Sequence, residues 1–194
     1  QLHLPFQSGS SRVLKAMNRH YDREKYLEAV RYAKALMPDL VLTSDVIVGF
    51  PGESEEEFEE TISLIQQVHY DSLFTFIFSP RKGTPAASMD DPTSKEEKSQ
   101  RFDKLCEVQN SISEKIHAEY VGKTFRCLVD GIDKDDLTAR TEGGRLVRFQ
   151  GDEGLIGTYQ FITITGSTTW SLTGELKELK FVKDVVEKSA AEVV

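Results

Sequence analysis

Cysteine is scarce in this 194-residue sequence: Cys106 and Cys127 are the only two. Two thiols build neither a disulfide framework nor a metal site by themselves, and both read as small buried hydrophobes in a reducing, cytoplasmic setting. Long apolar runs are absent, so no segment spans a bilayer and none reads as a signal peptide. The four histidines, His3, His20, His69 and His117, are scattered, and no two have metal-ligand spacing. No Ser-His-Asp or Cys-His arrangement can be argued. Positive charge is not in surplus: the net charge of −8 counts against a dedicated nucleic-acid protein, because phosphates call for Lys and Arg. Phosphate loops are missing too, with no Walker or dinucleotide pattern. What is present, 39% hydrophobic and 29% charged residues, suits a soluble globular chain with one or two cores. The sequence opens abruptly on "QLHLPFQSGS", without Met, and reads as a piece of a longer protein.

The first half alternates strand and helix. Leu2–Phe6 is extended, and Val13, Leu14 and Met17 follow at helical spacing. A second helix starts from Asp22 as N-cap and ends before Pro38, with Tyr26, Val30, Ala33 and Met37 on one face. Leu40–Val48 is a strand. Ser54 and Glu57 form a capping box for a helix whose apolar stripe is Phe58, Ile62, Ile65 and Val68. Ser72–Phe78 is a third strand. This βαβα order predicts a parallel sheet, in an α/β barrel or a doubly wound form. After the loop "SPRKGTPAASMDDP", a long helix spans about Thr93 to Tyr120, with Thr93 and Glu96 as its capping box and Phe102, Leu105, Ile112 and Ile116 buried. From Lys123 the pattern changes to five short glycine-punctuated strands, a small β-barrel. The expected domains are 1–119, 120–182 and a tail at 183–194, with a short helix or frayed end from Phe181.

One stretch concentrates the chemistry: "SDVIVGFPGESEEEF", residues 44–58. Alternation puts Leu40, Leu42, Ser44, Val46 and Val48 on one face and Val41, Thr43, Asp45 and Ile47 on the other. A carboxylate within a buried strand needs a partner. Asp45 therefore either faces a ligand at the C-terminal mouth of a barrel or caps a neighbouring loop. Gly49-Phe50-Pro51-Gly52 lets backbone approach a ligand closely. Glu53, Glu55, Glu56 and Glu57 crowd the helix start and would repel phosphate, so the loop suits a neutral or cationic ligand; most of these acids read as a solvated first turn. "PFQSGS" is a second polar turn: Ser8 or Ser10 can cap the next helix, which leaves Gln7 unexplained. Of Phe74, Phe76 and Phe78, core packing accounts for at least two, and Phe78 at the rim can flank a flat ring. Arg81 and Lys82 on the same rim can meet an anion such as RNA phosphate or simply lie in a solvated loop. In the last domain Lys123, Arg126, Arg140, Arg145 and Arg148 interleave with Phe125, Phe149 and Tyr159. Eight basic residues there face nine acidic ones between positions 123 and 180. The barrel reads as an RNA-binding module or as an accessory domain.

"HLPFQSGSSRVLKAMNRHY", "TSDVIVGFPGESEEEF" and "FTFIFSPRKGTPAA", in this order, resemble the radical S-adenosylmethionine (SAM) methylthiotransferases, and "GRLVRFQGDEGLIGTYQFITITGSTTWSLTGEL" resembles their terminal TRAM domain. The resemblance covers nearly the whole chain. It implies the C-terminal part of a partial TIM-like barrel followed by an OB-like barrel. It is closest to the tRNA branch that makes 2-methylthio-N6-dimethylallyladenosine; a sister branch acts on threonylcarbamoyladenosine, and a non-catalytic RNA-binding module stands as a third reading. The family uses SAM and two 4Fe-4S clusters. The cysteines that hold those clusters have no counterpart here, so the resemblance implies no metal ligands, no catalytic residues and no activity for this chain alone. What it retains is part of a SAM pocket: Gln7 and Ser8 near the ribose and amino-acid moiety, Asp45 and Gly49–Glu53 on the adenine side, and Phe78 against the adenine. The implied partners are SAM and tRNA; the sulfur donor is not indicated.

Overall fold

The computed structural model describes residues 1–177. A three-stranded parallel sheet comprises β1 (Leu2–His3), β2 (Leu42–Val48) and β3 (Ser72–Ile77), in that spatial order. The helices between them are α1 (Ser11–Ala16), α2 (Arg23–Leu36) and α3 (Glu55–Val68), and α4 (Lys95–Ala118) packs along β3. Each helix start is capped by a short polar side chain that accepts from the first turn, as at Ser10, Asp22 and Ser54. The capping box of α4 is Ser94 with Glu97, one residue later than expected, and Met37 lies exposed beyond the end of α2.

Leu42, Ser44, Val46 and Val48 of β2 are buried beneath α2 and α3, in a core shared with Phe6, Tyr26, Phe58, Ile65 and Tyr70. Ser44 is tolerated there because both of its hydrogen-bonding roles are filled: Oγ donates to Leu4 O at 2.7 Å and accepts from Phe6 N at 3.0 Å. The opposite face carries Asp45 and Ile47, with Phe74 opposite Asp45 and Phe76 opposite Ile47 on β3. Phe74 and Phe76 are 54% and 52% exposed, so the expectation that core packing accounts for two of the three phenylalanines fails. They follow the alternation of β3 onto the sheet face that no helix covers among the described residues.

The five predicted short strands all form: β4 (Thr124–Asp133), β5 (Asp136–Thr141), β6 (Leu146–Phe149), β7 (Tyr159–Ser167) and β8 (Leu172–Leu176) close into a barrel in the order β4-β5-β6-β8-β7. Its core holds Cys127, Val129, Leu137, Val147, Phe149, Ile162 and Leu172. Cys127 is inert there, since burial pushes its thiol up to about 11. The end of the expected barrel domain, 178–182, and the tail with its expected helix lie outside the described residues.

Candidate functional site

Two loops leave the sheet at the C-terminal ends of β1 and β2, where parallel α/β folds place their ligands. The first is Phe6-Gln7-Ser8-Gly9-Ser10. Gly9 is required by close approach: a Cβ there would lie 2.5 Å from Glu60 O of α3. Thr61 staples the turn, accepting from Gly9 N at 2.8 Å and meeting Ser8 Oγ at 3.4 Å. Ser8 is fully buried and also accepts from Ser10 N, so it shapes the turn and does not face a ligand, contrary to expectation. Gln7 bridges to Val46 with φ of 59°, a left-handed conformation that a glutamine adopts under constraint. Tyr21 donates to its Oε1 and fixes the side chain.

The second loop is Gly49–Glu53. Gly49 and Gly52 have φ of 70° and 74°, which their lack of a Cβ allows. The outer side of the loop is closed by α4. The Lys98 stem lies where a Gly49 Cβ would point, and Arg101 Nη1 donates to Glu53 O at 3.0 Å. Arg12 reaches across from α1 to Gly52 O and ion-pairs with Glu57. Glu53 is not a solvated helix-start acid but a buried one: Oε2 accepts from Gly49 N at 2.7 Å, and Oε1 has no partner. Desolvation raises its carboxyl to about 7, against the lowering effects of the Gly49 bond and Arg101. Phe50 is buried edge-on against Phe78, ring centroids 5.1 Å apart.

Gln7, Asp45, Ile47, Phe76, Phe78 and Arg81 converge on one open cavity of about 550 Å³, within the range of small-molecule sites. Arg19 also lines it, a residue for which the sequence offered no signal beyond a polar turn after α1. Among the described residues Asp45 caps no loop; it stands on the open sheet face with His3 Nε2 at 3.4 Å, while His3 Nδ1 meets Thr43 Oγ1 at 3.0 Å. Gly49–Glu53 does not line this cavity and supports Phe78 and β2 from behind. Lys82 lies in the exposed loop beyond it. The chemistry of the wall is one carboxylate, one amide, aromatic rings and two guanidiniums, a set that fits an amphoteric adenosyl ligand such as SAM. It has no phosphate cradle. No group of three or more His, Cys, Asp or Glu among the described residues could hold a metal ion, and two cysteines cannot ligate a four-iron cluster.

The expected RNA residues are dispersed. Arg126 stacks over Tyr159 at 4.6 Å and pairs with Glu142; Arg140 pairs with Asp130 at 3.0 Å, and Arg148 with Asp133. Lys123 lies beside the Tyr120 ring at 6.0 Å. Arg145 is the correction. It is buried between the two domains, where it ion-pairs with Asp71, donates to His117 Nε2 at 2.8 Å and lies 4.5 Å over Tyr120. The Thr168 carbonyl accepts from His117 Nδ1 at 2.8 Å, so the ring carries its proton on Nδ1 and offers Nε2 to the guanidinium. Phe125 and Phe149 pack on the barrel core, whereas Phe161, opposite Arg126 on β7, is an exposed aromatic that the sequence reading missed.

Comparison with known proteins matches the radical SAM superfamily over residues 1–65 and the TRAM domain over residues 118–177. A tRNA-2-methylthio-N(6)-dimethylallyladenosine synthase of Clostridium botulinum (strain Langeland) is 52% identical over 90% of this chain and 40% of that protein. Relatives of the same name from Acetivibrio thermocellus (46% identical over 90% of the chain, 37% of that protein) and Symbiobacterium thermophilum (50% over 91%, 38% of that protein) align similarly. The chain thus spans about 40% of the length of the curated relatives it matches.

Proposed function

We propose that the chain belongs to the radical SAM methylthiotransferase family, and that the whole protein adds a methylthio group to C2 of N6-isopentenyladenosine beside the tRNA anticodon. The observation that supports this reading is the convergence of Gln7, Asp45, Phe78 and Arg81 on one cavity at the strand ends of a sheet whose residues 1–65 match the radical SAM superfamily. SAM bound there supplies the adenosyl group for radical generation and the methyl group of the product. Asp45, whose negative charge suits a cationic ligand, would hold SAM by accepting from its hydroxyl or ammonium groups. Gln7, held by Tyr21, offers an amide to the ribose or amino-acid end, and Phe78 presents an apolar edge to the adenine. Arg19 and Arg81, which line the same cavity, would pair with the ligand carboxylate. Gly49, Phe50, Pro51, Gly52 and Glu53 act indirectly, by holding β2 and Phe78 in place. This chain holds no cluster, so no step through one is assigned to it.

Full-length protein with reconstituted clusters should convert tRNA bearing isopentenyladenosine to its 2-methylthio form, read by mass spectrometry of nucleosides. Product only from threonylcarbamoyladenosine tRNA would move the assignment to the sister branch, and no product from either would defeat it. The 194-residue chain alone should yield no 5′-deoxyadenosine from SAM and reductant.

The barrel is proposed as the tRNA-binding module. Arg140→Glu and Arg148→Glu should each weaken tRNA binding and reduce the slope of log K against log salt by about 1. Unaltered affinity in both would shift the RNA surface to Lys123, Arg126 and the exposed Tyr159–Phe161 face, or leave the barrel an accessory domain.

A further inference from the structure

A second cleft, of about 410 Å³, opens between the free edge of β3, the middle of α4 and the rim of the barrel. Both domains contribute to it: Phe74, Gln109 and Asn110 from one side, Arg140, Arg145 and Trp170 from the other. Trp170, the chain's only tryptophan, is 75% exposed. A large ring left in water is ordinarily mobile, but this one sits on a braced turn. Thr168 Oγ1 accepts from Trp170 N at 3.2 Å and Ser171 N at 3.0 Å, and Thr168 O is tied to His117 of α4 at 2.8 Å. The joint between the domains therefore fixes the backbone that carries the indole, and the residue lines the cleft. Phe74 supplies a second exposed ring, 54% accessible, held edge-on by His3 at 5.7 Å.

Polar bonding in this wall is incomplete. Among the described residues three buried side-chain atoms lack partners, and two of them, Gln109 Oε1 and Arg145 Nε, belong to residues lining the cleft. Both atoms are enclosed, so an occupant of the cleft would pair instead with accessible lining groups, the Asn110 amide and the Arg140 guanidinium. Flat apolar faces beside mixed donors and acceptors match a nucleobase, which stacks on aromatic rings and is read along its polar edge. Location narrows this further. Phe76, which lines the cofactor cavity, lies two residues beyond Phe74 on β3, about 7 Å along the strand. The cleft is thus a near neighbour of the cavity where the adenosyl ligand is placed.

We propose that this interdomain cleft takes one unstacked nucleobase of the substrate RNA, adjacent to the reacting nucleotide, with Trp170 and Phe74 as stacking faces. The inference rests on the proposed tRNA substrate and adds the position of a second base. Its test uses the chain itself, because both walls lie within it. Titration with an RNA stem-loop should quench Trp170 emission saturably, and an abasic nucleotide at one loop position beside the target adenosine should abolish the quenching. Trp170→Ala should weaken binding roughly 5- to 150-fold, the range for loss of one base–aromatic stack. It should leave the melting temperature unchanged, because the ring is exposed, and Trp170→Phe should retain most of the affinity. Phe74→Ala should weaken binding in the same direction. RNA binding without quenching, no RNA binding at all, or full affinity in Trp170→Ala would overturn the proposal. So would quenching by an unrelated extended peptide that pairs with the β3 edge. Normal quenching combined with no methylthio product from the full-length enzyme would leave this site standing and strike the proposed reaction.

Discussion

Arg145→Ala is expected to destabilise the chain by about 3–5 kcal/mol, the cost of removing one partner of a buried ion pair and leaving the other uncompensated. The guanidinium is nearly inaccessible, and burial lowers it to about 10, so it remains charged at neutral pH beside Asp71. Asp71 is itself a structural acceptor: Oδ2 takes the N–H of Leu42 at 2.6 Å, at the start of β2. Truncating Arg145 therefore leaves a buried carboxylate next to the central strand, opens space over Tyr120 and removes the donor to His117 Nε2. For a chain of this length the melting temperature should fall by about 10 °C. The barrel and the sheet domain should then unfold as separate transitions in calorimetry, because the link between them is gone. The double variant Asp71→Ala with Arg145→Ala should lose less than the sum of the single losses, since neither charge is left stranded. A loss below about 1 kcal/mol in Arg145→Ala would mean that packing, not this pair, holds the domains together.

Glu53→Gln should change the pH dependence of stability by a similar amount. The Glu53 carboxyl titrates at 4.5 in its unperturbed state and at about 7 when folded. A group whose folded value is raised favours the folded state below the unfolded value. That contribution declines as pH rises from 4.5 to 7 and is gone above 7. The span corresponds to about 3 kcal/mol. Glutamine cannot ionise, yet its Oε1 can still accept from Gly49 N. The stability difference, variant minus wild type, should therefore rise by about 3 kcal/mol between pH 4.5 and pH 8 in urea titrations. Parallel pH profiles for the two proteins would show that Glu53 does not titrate in this window. A larger loss for the variant at pH 8 would show that the Arg101–Glu53 attraction, at 3.6 Å, outweighs burial.

Both predictions concern residues whose surroundings the sequence did not reveal. Glu53 and Glu55 read alike in a run of acids at a helix start. Only the packing of α4 across the loop buries the first and leaves the second paired at the surface with Arg101. Arg145 and Arg148 read alike as interleaved cations of a barrel. One falls at the joint with Asp71, and the other pairs at the barrel surface with Asp133. Ser8 read as a ligand donor, but its partner Thr61 is 53 residues away, and no local pattern announces it.

By itself the sequence determined the order of elements, the change from α/β to all-β near residue 120, the capping at Asp22 and Ser54, and the placement of Asp45 on the face of β2 opposite Ser44 and Val46. These follow from local signals: side-chain periodicity, short polar caps and glycine turns. Motif resemblance added the SAM expectation, and Gln7, Asp45 and Phe78 do reach one cavity. Tertiary structure alone decided which acid is buried, which arginine joins the domains, that the Gly49–Glu53 loop supports the cavity from behind, and that Trp170 is braced at a cleft. The physical reason is that burial and pairing depend on contacts between residues far apart in the chain, and two residues of one type at one spacing carry no mark of what will pack over them.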